Sequence, residues 1–480
     1  MRKFLTILSA LILGLLITMG IFWIQGKSLT DVFKKDETTI NPGSIPSTET
    51  PPKELNLTYT ERLTQGDTYF KQEFYSMAAN EYAKAALLAP NELTPYLKLV
   101  QTHLKLRNYE KALANTEAVL KIDPNNTEAK FDKILIQIKL SDFSGAKALI
   151  DAYPPETPES GQILYYQGIL TSLFNNHELA KSTLNDALQK TTDPDLKTRI
   201  NRVKKAYEEF GIAQAADELY LKILLAKSLN ENQEYEMAIH LLKEVLKARP
   251  DLRDGWILLG FAYLNLQNYQ FALTAFDKAY SLDVTWSTTQ YFLGLTHKEL
   301  GNPKEAITYF SAALTGGFKP EVVIQNHLAD LYFETKEYKK ATEAYEAVLE
   351  VNKQDVNAFV RPVWLYLDYL NEPQKGLTLA QTAVNTFPES AMSYNLLGWS
   401  YIGMGDYKNA EANLKRALAL DPTLAAGHLN LGQLNEKWGK TDLALQSYQA
   451  AYNIDKNGSI GNLAAQHYNK LLKKSLSEGQ

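Results

Sequence analysis

The sequence predicts an all-α chain, a solenoid of stacked helix pairs preceded by one N-terminal transmembrane helix. Three observations predict it. Residues 4–24, "FLTILSALILGLLITMGIFWI", form a 21-residue run without a charge. From about residue 59, apolar positions recur at helical spacing, and no stretch shows the strict alternation that marks a strand. One pattern of Gly, Ala, aromatic and Leu positions also returns about every 34 residues.

The apolar run comes first. At about 1.5 Å per residue it spans roughly 31 Å, the thickness of a bilayer core. A secretory signal has a shorter apolar region and a small-residue cleavage site. This run ends in Phe22 and Trp23, and no Cys is present for a lipid anchor. The expectation is an uncleaved anchor at 4–24 behind a three-residue tail, with Trp23 at the interface. Arg2, Lys3 and the terminal amine nearly balance Lys27, Lys34 and Lys35 across it. A short basic start favours a cytoplasmic tail, so the expected localisation is single-pass membrane with the solenoid extracytoplasmic. Residues 25–58 are rich in Pro, Ser and Thr, contain few large apolar groups, and read as a flexible linker.

The repeat is clearest in "GWSYIGMGDYKNAEANLKRALALDP", residues 398–422. Its marks are Tyr394, Leu397, Gly398, Tyr401, Ala410, Leu414, Ala417 and Pro422. The same positions hold Trp256, Leu259, Gly260, Tyr263, Ala272, Phe276 and Ala279 in one copy, and His428, Leu431, Gly432, Asn435, Ala444, Tyr448 and Ala451 in another. Gly and Ala let two helices approach; aromatic and Leu side chains fill the space between them. Gly405 suits the left-handed residue that ends a first helix, and Pro422 stops a second. Such a pair cannot bury its apolar face alone and needs neighbours.

This spacing resembles that of tetratricopeptide repeats. Eleven copies start near residues 59, 93, 127, 161, 219, 253, 287, 322, 357, 391 and 425. The resemblance implies a right-handed superhelical α-solenoid, with four repeats over 59–194 and seven over 219–458. Between them, 195–218 carries Ile200, Val203, Tyr207 and Phe210 on one helical face. It reads as an inserted helix that either bends the array or stacks as a degenerate repeat. Residues 459–480 read as a capping helix and tail, with Ile460, Leu463, Ala464, His467, Tyr468 and Leu471 on its apolar face. The copy from 357 departs most, with Trp364 in the glycine position and Pro362 inside its first helix. The copy from 127 has Ile134 in that position, and "TGGF" at 315–318 absorbs an extra residue.

Composition narrows the function. The chain is 45% hydrophobic, enough to bury a core, and a net charge of −5 gives no support for a nucleic-acid surface. No Cys means no disulfide, thiolate metal site or thiol nucleophile. The seven His form no ligand-spaced cluster, and His103, His297 and His428 occupy packing positions of the repeat. Gly398 to Ile402 and Gly403 to Lys408 only begin like a nucleophile elbow and a phosphate fingerprint. Asp455, Asn457 and Ser459 echo a calcium loop, but Ile460 and Gln466 replace its glycine and final Glu. No catalytic residue, cofactor or metal is expected, and the reading is a non-enzyme.

That leaves binding. The resemblance implies that the first helix of each pair lines a concave face, here Phe131, Tyr165, Phe261, Tyr291, Asn326, Arg361, Asn395 and Trp399. Such a stripe suits an extended peptide or a partner helix, although each aromatic could equally pack between repeats. Co-chaperones of this family grip acidic peptides with inner Lys and Asn, whereas Leu63, Leu97 and Ile257 stand here. Glycosyltransferases with such repeats carry an Asn ladder that only Asn430 would fit. The expected function is a membrane-anchored scaffold for a protein or peptide partner in cell-envelope assembly. The alternative is an accessory subunit of an envelope polysaccharide or secretion machine, holding glycan or an unfolded client. Oligomeric state is left open.

Overall fold

A computed structural model describes residues 57–153, 160–212 and 217–478. The expected anchor at 4–24 and most of the linker lie outside the described residues. No described helix is long and apolar enough to cross a membrane.

Among the described residues the chain is all helical, and the helices fall into eleven pairs. The first four are α1 (Tyr59–Lys71) with α2 (Tyr75–Leu88), α3 (Leu93–Lys105) with α4 (Tyr109–Ile122), α5 (Thr127–Lys139) with α6 (Phe143–Asp151), and α7 (Ser160–Leu173) with α8 (His177–Lys190). A single helix, α9 (Pro194–Ile212), follows. Then come α10 (Glu218–Glu231) with α11 (Tyr235–Ala248), α12 (Arg253–Asn265) with α13 (Tyr269–Leu282), α14 (Ser287–Glu299) with α15 (Pro303–Thr315), and α16 (Glu321–Glu334) with α17 (Tyr338–Val351). In the ninth pair the first helix is broken. A 3-10 turn (Val356–Phe359), α18 (Val360–Trp364) and a π-helical turn (Leu365–Tyr369) precede α19 (Pro373–Thr386). The chain ends with α20 (Ala391–Met404) and α21 (Tyr407–Leu420), α22 (Ala425–Lys437) and α23 (Thr441–Ile454), and α24 (Ser459–Glu478). Two compact units divide at Leu282 and Asp283, so the described residues fall into 57–282 and 283–478.

The glycine position sets the approach of each pair. A Cβ on Gly66, Gly168, Gly260, Gly294, Gly398 or Gly432 would lie 2.5–2.8 Å from the side chain 16 residues later. Those side chains are Tyr82, Leu184, Phe276, Phe310, Leu414 and Tyr448, all buried. Only hydrogen fits there, so the larger partner can lie flat on the first helix.

The turns repeat as strictly. A left-handed residue closes the first helix at positions 73, 107, 141 and 175, and again at 233, 267, 301, 336, 371, 405 and 439. The next amide commonly donates back over the helix end, as in Asn108 N to His103 O at 2.9 Å and Asp406 N to Tyr401 O at 2.9 Å. Gly405 is one of these residues, with φ +75°. Eight others, including Glu73, Arg107 and Gln267, are not glycine, with φ between +52° and +63°. Each costs on the order of 1 kcal/mol, which the packing of the pair overrides.

The irregular helix follows from Pro362. Proline has no N–H and its ring crowds the preceding turn, so Pro362 fits only near the start of a short α-helical segment and the regular ladder cannot extend back across it. The chain tightens before Pro362 and widens into the π turn after Trp364. On α9, Ile200, Val203 and Tyr207 are buried and Phe210 is half-buried. On α24, Ala464 and Leu471 are buried and His467 stacks on Tyr448 at 5.2 Å, whereas Leu463 remains exposed.

Candidate interaction surface

In the 57–282 unit the expected stripe is closed. Phe131, Tyr165 and Phe261 are all buried. Phe131 lies 6.2 Å from Tyr166, Tyr165 meets Tyr166 edge-on at 5.1 Å, and Phe261 meets Tyr235 at 6.3 Å. The cause is a contact far along the chain: the start of α11 returns to the end of α5. Lys139 Nζ donates to Glu236 at 2.9 Å, and Phe143 faces His240 at 5.1 Å. Arg107 Nη1 donates to the Leu266 carbonyl at 3.1 Å.

Helix α9 supplies the centre of this closure. The Arg199 guanidinium lies 4.6 Å from the Tyr165 ring centroid and pairs with the buried Glu234 carboxylate. Asn232 Nδ2 donates to Tyr165 Oη at 3.0 Å and to the Arg199 carbonyl at 2.8 Å. Burial, with Glu234 adding to it, pushes the Tyr165 and Tyr166 hydroxyls well above the ordinary range. Burial alone would lower Lys139, but Glu236 and Glu234 hold its ammonium above its usual value.

Asp132 sits beside Phe131 on α5. Burial pushes its carboxyl up to about 6, and the Glu128 charge adds to the shift. The unfolded carboxyl titrates near 4, so the folded chain holds the extra proton between roughly pH 4 and 6. Stability therefore falls as pH rises through that window, and the penalty is complete above it. Asp132→Asn is expected to stabilise the unit at pH 7 by about 1 kcal/mol, the full shift being discounted for partial solvent access. It should change nothing below pH 4. Urea midpoints at the two pH values check this.

In the 283–478 unit the expected residues separate. Tyr291 stacks on Phe318 at 4.4 Å, and burial raises its hydroxyl. Asn326 is half-buried and donates to Val322 O on its own helix at 3.0 Å. Asn395 is buried and accepts from Asn430 at 2.9 Å. Arg361 is half-buried, its guanidinium 5.4 Å from the Trp364 ring. Trp399 is half-buried against a core that includes Phe359, Val363 and Leu396. The eight residues thus form no continuous open stripe; in this unit Asn395 is buried, and Tyr291, Asn326, Arg361 and Trp399 keep part of their surface accessible.

Sequence reasoning missed two features. One is the polar closure around Arg199 and Glu234, whose partners lie on different repeats. The other is the aromatic cluster at the π turn. Tyr369, 40% exposed, lies 4.5 Å from Tyr338 and 5.0 Å from Trp364, with Phe333 5.0 Å from Trp364. Pro362 and the aromatic density of "RPVWLYLDYL" were the signal for the second. Among the described residues no group of three His, Cys, Asp or Glu could hold a metal ion.

Sequence models described as tetratricopeptide repeat match residues 103–167, 223–283, 287–315, 323–355 and 395–459, together more than half of the chain. The chain belongs to the tetratricopeptide repeat family. A tetratricopeptide repeat-containing protein of Methanocaldococcus jannaschii is 21% identical over 81% of this chain and 75% of its own length. Anaphase-promoting complex subunit 3 of Schizosaccharomyces pombe is 21% identical over 48% of this chain, but over only 30% of its own length. Among solved structures, Cut9–Hcn1 matches with 14% identity and a TM-score of 0.31, covering 87% of this chain and 97% of that one. YrrB, described as having an unusual peptide-binding site, matches with 18% identity and a TM-score of 0.34, covering 39% of this chain and 95% of its own. As a tetratricopeptide repeat chain, this protein is a scaffold for protein–protein interaction in the general sense of its family.

Proposed function

We propose that this tetratricopeptide repeat chain is a single-pass membrane protein that displays its repeats outside the cytoplasm. There it holds an extended segment of a partner protein during cell-envelope assembly. Residues 4–24 support the anchor by length and lack of charge. The observation that carries the binding site is the exposure pattern. The first unit packs its stripe away, whereas Arg361, inside the 3-10, α and π interruption, and Trp399, on the first helix of the next pair, both keep open surface. Irregular turns of this kind concentrate at functional sites. A flat cation and an indole together offer both a polar grip and apolar area to a peptide.

The test places a photo-crosslinking residue at Asn326 in the full chain in its native membrane. One adduct of discrete mass is expected, lost in Trp399→Ala and in Arg361→Ala. An adduct indifferent to both changes would sink the site. Topology is read separately from Ser47→Cys and a membrane-impermeant thiol reagent, since the chain has no other Cys. Labelling only after permeabilisation would overturn the extracytoplasmic and envelope readings.

A further inference from the structure

The seam that closes the 57–282 unit is held by different bonds from the helix pairs it joins. Within a pair the contact is apolar and interlocked, as where Leu184 lies on Gly168 and Phe276 on Gly260. Across the seam the links run between helix ends and turns, and most are polar. Lys139, the last residue of α5, pairs with Glu236 at 2.9 Å. Arg107, in the turn after α3, donates to the carbonyl of Leu266, in the turn after α12, at 3.1 Å. Arg199 on α9 pairs with Glu234, and Asn232 Nδ2 donates to the Arg199 carbonyl at 2.8 Å. Arg202 Nη1 donates to Asn232 Oδ1 at 3.1 Å. Phe143 against His240 adds a ring contact.

Water acts differently on the two kinds of bond. A polar link that parts is replaced by bonds to water, so its net loss is small, whereas an apolar contact has no such substitute. The closed seam also leaves two buried polar atoms, Gln137 Oε1 on α5 and Arg199 Nε on α9, without a hydrogen-bond partner. Such atoms disfavour the closed form until water reaches them. Helix α9 holds to the fourth pair by links of its own: Tyr207 Oη lies 2.7 Å from Ser172 Oγ and 3.2 Å from His177 Nδ1. The pairs from α10 onward can therefore part from α5, α6 and α9 without breaking any helix pair. Beneath the seam lie Phe131, Tyr165 and Phe261, all buried. Phe261 holds in α12 the position that Trp399 holds in α20, where it stays half-open.

We propose that this seam is a latch. The pairs α10–α13 part from α5, α6 and α9 as one body, in a minor open state, and uncover the ring stripe. The closed form is autoinhibitory: the chain shuts its own stripe until an extended apolar segment of a partner covers the rings and holds the seam open. The latch does not depend on the binding site around Arg361 and Trp399.

The test uses the full chain in detergent, whose lack of native Cys allows spin labels at chosen positions. Lys105→Cys with Gln267→Cys reports across the seam, and Lys71→Cys with Lys105→Cys reports within the first pairs; all three positions are exposed. The otherwise native chain should give mainly one short separation across the seam. Glu236→Lys sets two ammonium groups against each other at Lys139. It should add a longer separation across the seam and leave the 71–105 separation unchanged. A further chain carries only Ile169→Cys, buried at the position in α7 that Phe261 holds in α12. A water-soluble thiol reagent should label it roughly tenfold faster or more once Glu236→Lys is added. An unchanged seam separation in Glu236→Lys overturns the proposal. So does a changed 71–105 separation, which would make the seam part of one indivisible core. A longer seam separation without faster labelling at 169 also overturns it, because the stripe would then stay shut.

Discussion

Glu234→Ala is expected to destabilise the 57–282 unit by about 3 kcal/mol, measured as loss of urea stability relative to the parent chain. Glu234 is 4% exposed and carries the carboxylate that pairs with Arg199. Burial pushes that carboxyl up, and Lys139 and Arg199 act against the rise. Removing it leaves the Arg199 guanidinium over Tyr165 with no carboxylate beside it and opens a gap against Lys139. Breaking one partner of a buried pair costs about 3–5 kcal/mol, and the low end applies because Arg199 retains some access to water. Glu234→Gln keeps the shape and an acceptor and should cost less. If Glu234→Ala changed stability by under about 0.5 kcal/mol, the closure between α5, α9 and α11 would not be holding the unit together.

Gly260→Val is expected to cost about 3 kcal/mol by a different route. Its Cβ would stand 2.5 Å from Phe276 Cε1 and 2.7 Å from Cδ1 and Cζ, all ring atoms of a fully buried residue. The ring cannot swing away, because close-packed interiors leave it no space. Phe276→Ala alone should cost about 3–5 kcal/mol through the cavity it leaves. In the double variant the new side chain enters that cavity. The sum of the two single losses should then exceed the double loss by more than about 1.5 kcal/mol, the signature of groups sharing one space. Strict additivity would mean that the glycine position does not act through the aromatic 16 residues on.

The sequence carried the helix pairs well because their physics is local and repeated. Gly398 and Leu414, or Gly432 and Tyr448, lie within one pair, so their spacing appears in the chain as a fixed offset. Pro362 announced the broken helix in the same way, through its missing N–H. The turns were read less completely. Gly405 was legible as a left-handed position, but Arg107 and Gln267 adopt that conformation without a residue type that advertises it.

The binding stripe was the part least available to sequence. Tyr165 and Trp399 lie on first helices one turn apart in the repeat, and Phe261 matches Trp399 position for position, yet Tyr165 and Phe261 are buried and Trp399 is half-open. Their own repeats do not decide this. For Tyr165 it is decided by Arg199 on α9 and by Asn232, 67 residues away along the chain. The amino-acid sequence alone determined the period, the packing positions within each pair and the all-helical class, because those depend on side-chain size and backbone freedom at short range. The tertiary structure alone decided which stripe residues are closed in and which remain open. That depends on which distant helix returns to cover them, and an ion pair such as Lys139 with Glu236 forms between residues that no local pattern connects.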